Sequence, residues 1–172
     1  YVDMPTIVIA GYPNVGKTTL LRQLTGSEPE IASYPFTTKG LQLGYFDHGH
    51  ERYQVIDTPG LLDRPLAKRN PIERQAIAAL NHLANVIIFL FDPTQTCGYE
   101  FESQLRLFQE IRRLFPKIPL LPVANKSDLL DEALRQQVLK SCPDALFISA
   151  ASGDGVEILL ERILKTLGSS EP

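Results

Sequence analysis

Thr6-Ile7-Val8-Ile9-Ala10-Gly11-Tyr12-Pro13-Asn14-Val15-Gly16-Lys17-Thr18-Thr19-Leu20-Leu21-Arg22-Gln23-Leu24 runs from an apolar stretch, through a loop bounded by glycines, into a second apolar segment. Residues 6–10 read as a buried strand, and those from Thr19 to Leu24 as the first turns of a helix. Between them, Gly11 to Thr18 has the G-x-x-x-x-G-K-[ST] spacing of a phosphate-binding loop, in the strand–turn–helix context that gives the spacing meaning. The glycines let the backbone close around a polyphosphate, with successive N–H groups pointing inward as an anion nest. The helix N-terminus adds its partial positive charge. Gly11, Pro13, Asn14, Val15, Gly16, Lys17, Thr18 and Thr19 are therefore the phosphate-side candidates. Lys17 is placed to reach the β- and γ-phosphates, and the Thr18 hydroxyl to hold Mg²⁺.

Outward from that loop, the 172 residues suit one domain with a substantial core. A hydrophobic content of 44% with 22% charged residues argues against disorder. Seventeen basic against twenty acidic residues leave a net charge of −3, so the field of the whole domain does not attract RNA. Cys97 and Cys142 lie far apart without metal-ligand spacing, as in a reducing compartment. No apolar stretch approaches the roughly 20 residues that span a bilayer, and the expected localisation is cytoplasmic. Residues 1–168 are expected to form the domain, and the polar residues 169–172 to begin a linker in a longer protein.

Strands and helices alternate, which argues for an α/β sheet with helices on both faces. Residues 27–40 are broken by Pro29 and Pro35 and read as irregular. Residues 41–46 and 53–57 are separated by a short turn containing His48, Gly49 and His50, which implies an antiparallel hairpin. Residues 85–92, 120–125 and 145–149 are expected as parallel strands, giving a mostly parallel six-stranded sheet with one antiparallel edge strand. Pro122 should disturb its strand locally. Phe101, Leu105, Phe108, Ile111 and Phe115 recur at helical spacing, as do Val156, Leu159, Leu160, Ile163 and Leu167. Both stripes read as core packing.

A phosphate loop does not choose a base. Asn125-Lys126-Ser127-Asp128 follows a predicted strand at the sheet edge where ligands of open α/β folds bind. An Asp carboxylate can accept together from the N1–H and exocyclic amine of guanine, a donor pair that adenine lacks, and leaving it unpaired is costly. Here the chain resembles the translation-factor class of GTPases, P-loop NTPases with a G-domain fold, whose N-K-x-D motif reads guanine. The resemblance implies that Asp128 selects the base, Asn125 braces the loop and Lys126 lies along the ring. Ser149-Ala150-Ala151 matches the family's S-A-x triplet, with the Ala150 N–H donating to guanine O6. Asp57-Thr58-Pro59-Gly60 matches D-x-x-G: Asp57 would hold Mg²⁺ through water, and the Gly60 N–H would sense the γ-phosphate. Tyr34-Pro35-Phe36-Thr37-Thr38 offers Thr38, with Thr37 as the alternative, to close over Mg²⁺. Both segments would order with GTP and loosen after hydrolysis.

After D-x-x-G, signalling GTPases carry a water-orienting Gln; Leu61 stands there instead, so slow intrinsic hydrolysis is expected. In some related GTPases an Asn at the place of Asn14 coordinates K⁺ beside the phosphates, as an arginine finger would act; Asn14 is equally a favoured turn residue. No side chain stands out as a general base. Catalysis is expected to rest on Lys17, Thr38, Gly60 and Asn14 through positioning and electrostatics.

Residues 34–39, 54–63, 69–80 and Asp92-Pro93-Thr94-Gln95-Thr96-Cys97-Gly98-Tyr99 are similar to the nucleolar GTP-binding protein (NOG) branch of the Obg-related GTPases, over its G domain only. The segment 92–99 is unnecessary for GTP chemistry and speaks mainly to lineage. The resemblance implies GTP/GDP and Mg²⁺ as ligands, K⁺ as a further candidate, and partnership with the pre-ribosomal large subunit through rRNA and ribosomal proteins. It also implies no membrane, a monomeric isolated domain, and nucleolar or nuclear residence in a eukaryote. The rival readings are a nucleotide-gated assembly scaffold with negligible hydrolysis, and an Obg-like translation or stress GTPase. Arg64, Lys68, Arg69 and Arg74 form a basic cluster that fits an RNA contact or a solvated helix face equally well. Cys97 reads as a packed small residue and the histidine pair as an exposed turn.

Overall fold

The structure, a computed structural model, describes residues 4–34 and 40–168. Thr37 and Thr38, and residues 169–172, lie outside the described residues. The strands are β1 (Thr6–Ala10), β2 (Glu30–Ala32), β3 (Leu41–His48), β4 (Glu51–Asp57), β5 (Val86–Phe91), β6 (Leu120–Ala124) and β7 (Leu146–Phe147). The helices are α1 (Lys17–Thr25), α2 (Pro71–Leu83), α3 (Phe101–Leu114), α4 (Glu132–Ser141) and α5 (Val156–Thr166).

One sheet runs in the order β2-β3-β4-β1-β5-β6-β7. From β4 to β7 all pairings are parallel, while β3 is antiparallel to both β4 and β2. The expected fold class holds, with seven strands where six were expected. The added strand is β2, inside the stretch read as irregular. Its three residues are exposed or half-buried, so no hydrophobic period marks them; backbone pairing of Glu30 with Leu43 and of Ala32 with Leu41 makes the strand.

β1 and β5 are buried at every position, which is why both read as unbroken apolar runs rather than alternations. From β1 the chain crosses through α1 toward β3 and β4, whereas α2, α3 and α4 carry it the other way, to β5, β6 and β7. Right-handed crossovers in opposite directions put helices on opposite faces. The α3 stripe seats Phe108 against Phe89 and Phe91, at ring-centroid distances of 5.4 Å each.

Pro122 does not disturb its pairing with β5, which runs in unbroken register from Leu120 to Ala124. The Asn125 N–H donates to Phe91 O, so by the strand's alternation the proline nitrogen faces β7. Pairing with β7 begins only at Val123, and no ladder bond is lost.

At the head of α2, Asn70 and Glu73 form a reciprocal capping box with Pro71 in the first turn. Asp131 caps α4 by accepting from Leu134 N–H. The head of α1 differs: Gly16 stands there at φ 111 with no side-chain cap, so its first N–H groups face outward for an anion. Asp57, Asp92, Asn125 and Ser149 all come at or just beyond the C-terminal ends of parallel strands, on one edge of the sheet.

Candidate functional site

A cavity of about 330 Å³ opens over that edge, lined by Pro13, Asn14, Gly16, Lys17, Thr18 and Thr19 with Gln42, Asp57, Pro59 and Asp63. Lys17 is 8% exposed and donates from Nζ to the Gly11 and Tyr12 carbonyls, at 2.6 and 3.0 Å. Burial lowers its pKa from the ordinary lysine value, against the opposing pull of Asp57 and Asp63. The Thr18 hydroxyl donates to Gln42 Oε1 at 3.2 Å, and the β3–β4 register places Gln42 opposite Asp57. Asp57 is 5% exposed; burial pushes its carboxyl up to about 6 even though Lys17 pulls the other way. Asn14 sits exposed at φ 70, a left-handed conformation that a short polar side chain tolerates. Its amide has no hydrogen-bond partner among the described residues. Val15 is fully buried behind the loop.

The loops flanking the second motif hang on the phosphate loop through one side chain. Asn125 Nδ2 donates to Val15 O at 2.8 Å, and its Oδ1 accepts from Ala150 N–H at 2.9 Å. A Cβ on Gly16 would stand 2.3 Å from Asn125 Nδ2, so glycine is what lets the two loops meet. The Ala150 N–H, expected toward a base oxygen, is in this structure bonded to Asn125. Asp128 is exposed, without a hydrogen-bond partner among the described residues, and the nearby helix cap is Asp131 instead. Ser149 is 2% exposed, and Ala151 stands exposed beside it. Lys126, at φ 61, extends its ammonium to Asp92 Oδ2 at 2.7 Å and to Thr96 Oγ1 at 2.6 Å.

The sequence profile of the nucleolar GTP-binding protein 1 family matches residues 71–128. An uncharacterised Methanocaldococcus jannaschii protein is 58% identical over 77% of this chain and 36% of its own length. The Saccharomyces cerevisiae nucleolar GTP-binding protein 1 is 42% identical over 90% of this chain and 23% of its own. The crystal structure of a Plasmodium falciparum protein named for nucleolar GTP-binding protein 1 superposes with a TM-score of 0.81 at 34% identity, covering 96% of this chain and 87% of that one. The chain belongs to the nucleolar GTP-binding protein 1 family. It spans no more than about a third of the curated relatives just described.

Family membership gives residues 92–99 a lineage; the structure gives them work. Asp92 is fully buried and accepts from the N–H groups of Thr94 and Cys97, the hydroxyls of Thr94 and Thr96, and the Lys126 ammonium. These donors hold its carboxyl below the ordinary carboxylate value in spite of burial. Gln104 returns from α3 to bond both backbone groups of Asp92 and the Tyr99 carbonyl. The Tyr99 ring stacks on Tyr12 of the phosphate loop, centroids 4.2 Å apart. Cys97 is indeed packed and small, 6% exposed. None of Asp92, Gln104, Tyr12 or Tyr99 was legible as a site residue, since the contacts that tie them to the site, Asp92 with Lys126 and Tyr12 with Tyr99, span long stretches of sequence.

In this family member the segment after Asp57 is built around a buried arginine. Arg69, 5% exposed, donates to the Gly60 and Leu61 carbonyls and lies 3.6 Å from Glu73. The basic cluster read as a surface feature is thus partly internal, and Arg74 donates to Arg69 O. The side chain of Leu61 is buried, and the Gly60 N–H donates to Asp63 Oδ2 at 2.9 Å. His48 ends β3 and His50 lies in the turn to β4, both exposed. Among the described residues no helix is long and apolar enough to cross a membrane.

Proposed function

We propose that this domain binds GTP and GDP and hydrolyses GTP slowly, as the switch of a longer protein that acts in assembly of the large ribosomal subunit. The observation that carries this reading is the pair of hydrogen bonds made by the Asn125 amide. A loop with a free exposed carboxylate, Asp128, is tied through one side chain to the loop that bears Lys17. A ligand with a guanine at one end and a polyphosphate at the other fits that pairing.

In this reading the outward N–H groups of the Gly11–Thr18 loop and Lys17 hold the phosphates, while Asp128 accepts from the base. Thr18 and Asp57 are hard oxygen donors on one cavity, and the buried Asp57 carboxyl lacks enough compensating positive charge. They fit a Mg²⁺ ion, with Thr38 as a third candidate; bound there, the ion would neutralise phosphate charge. The Asn14 amide reaches the same cavity and is the candidate K⁺ ligand. Residues 1–168 form the G domain of this proposal. Pre-ribosomal rRNA and ribosomal proteins are the proposed partners and the cytoplasm the proposed location, with the nucleolus replacing it in a eukaryote; the nucleolar part is supported by the name of the yeast relative, nucleolar GTP-binding protein 1.

The second reading is a gated scaffold with negligible turnover, favoured by the buried Leu61 side chain where a water-orienting group would stand. Single-turnover hydrolysis in K⁺ and in Na⁺ at equal ionic strength separates the two. Acceleration by K⁺ that is lost in Asn14→Ala is expected. Background rates in both salts, with tight GTP binding, would establish the scaffold.

A further inference from the structure

The Gly60 N–H is the donor that the D-x-x-G resemblance assigns to the γ-phosphate, and in this structure it donates to Asp63 Oδ2 at 2.9 Å. That carboxylate lines the phosphate cavity together with Lys17, Thr18 and Asp57. Among the described residues it is held at one oxygen: Oδ1 is buried and makes no hydrogen bond, and Arg64 Nε stands 3.9 Å from it. Beside it, Arg69 donates to the Gly60 and Leu61 carbonyls, and Arg64 also donates to Gly60 O. Thr58 Oγ1, Asp63 Oδ1 and Arg69 Nε are the buried side-chain polar atoms without partners among the described residues, and all three fall in residues 58–69. Native interiors satisfy nearly all such atoms, so a run of three marks a segment whose present bonding is not its best in every state.

We infer that Asp63 is a specificity-determining residue, an internal anion that competes with the γ-phosphate for the Gly60 N–H and so biases the site toward the diphosphate. The inference rests on the guanine-nucleotide reading above. One N–H cannot serve two anions at full strength, and two anions facing one donor repel. A triphosphate must therefore displace the carboxylate and give up a charge-assisted bond before it gains its own. A diphosphate leaves the latch closed. What the latch sets is the difference between the two ligands, since a ligand shifts an equilibrium only by its differential affinity.

The test is equilibrium titration of this chain with fluorescent GDP and with a non-hydrolysable fluorescent GTP analogue, in Mg²⁺. The proteins are wild type, Asp63→Asn and Asp63→Ala, with a thermal melt of each to verify folding. The ratio of triphosphate to diphosphate affinity is expected to rise about tenfold in Asp63→Ala, the size of one lost charge-assisted bond. Asp63→Asn, neutral but still able to accept, should fall between. Affinities that change together, an unchanged ratio, or a ratio that moves toward GDP would each overturn the inference, because a merely structural role for Asp63 moves both ligands alike. Wild-type protein that binds neither nucleotide would instead bring down the guanine-nucleotide reading, and the latch with it.

Discussion

Asp57 is an acid held where water cannot solvate its charge, and burial lifts its pKa from 3.8 to about 6 although Lys17 opposes the shift. A carboxyl whose folded pKa lies above its unfolded value favours the fold only while protonated. Stability is therefore present below about pH 4 and lost as pH rises through 6. Stripped of nucleotide and divalent ions, the wild-type domain should lose about 2–3 kcal/mol between pH 4 and 7 relative to Asp57→Asn, read from urea unfolding. Mg²⁺ with GDP should recover that loss in wild type and not in the variant. Lys17, beside it, is depressed by the same desolvation.

At the scale of an element, residues 92–99 act as a bracket between the two ends of the site. Asp92 anchors the Lys126 ammonium, and Tyr99 leans on Tyr12. Gln95, at φ 63, uses its side chain to accept from Phe101 N–H and so starts α3. Removing the carboxylate frees Lys126 and leaves the Cys97 N–H without its partner. Asp92→Ala is expected to weaken GDP and GTP binding by about tenfold each, with their ratio unchanged, and to lower the unfolding free energy by about 3 kcal/mol. Calorimetric titration and denaturant unfolding of the same samples check both. The unchanged ratio separates this bracket from the Asp63 latch, where only the ratio should move.

Across the whole molecule, the apolar core beneath β5 carries the stability while the sheet edge carries the chemistry. Phe89, Phe91, Phe101 and Phe108 form one aromatic cluster, each 1% exposed or less. Phe108→Ala should cost about 3–5 kcal/mol by leaving a cavity that rigid neighbours cannot fill. The nucleotide affinity of the protein that remains folded should be within about twofold of wild type, because Phe108 does not line the phosphate cavity. Thermal unfolding and titration below the transition temperature test the pair of statements. Tyr34 adds a long-range tie, donating from its hydroxyl to Ala76 O of α2 at 3.0 Å.

Local patterns sufficed for β1, the phosphate loop, α1 and the aromatic stripe of α3, because each depends on periodicity or on glycine spacing along one segment. Asn125 and Asp128 were singled out by a family resemblance carried in four consecutive residues, Asn125 to Asp128, not by periodicity or glycine spacing. What the tertiary structure alone decided was everything made by pairing across distance. β2 exists through backbone bonds to β3 and has no side-chain period to announce it. Arg69 looks like a surface cation in a basic run, and only the fold turns it inward onto the Gly60 and Leu61 carbonyls. Asp92 meets Lys126 thirty-four residues later because strand ends converge on one edge. The order of residues along the chain sets which segments can form. Which charges face each other depends on sheet order, and sheet order is decided by the burial of β1 and β5 at its centre.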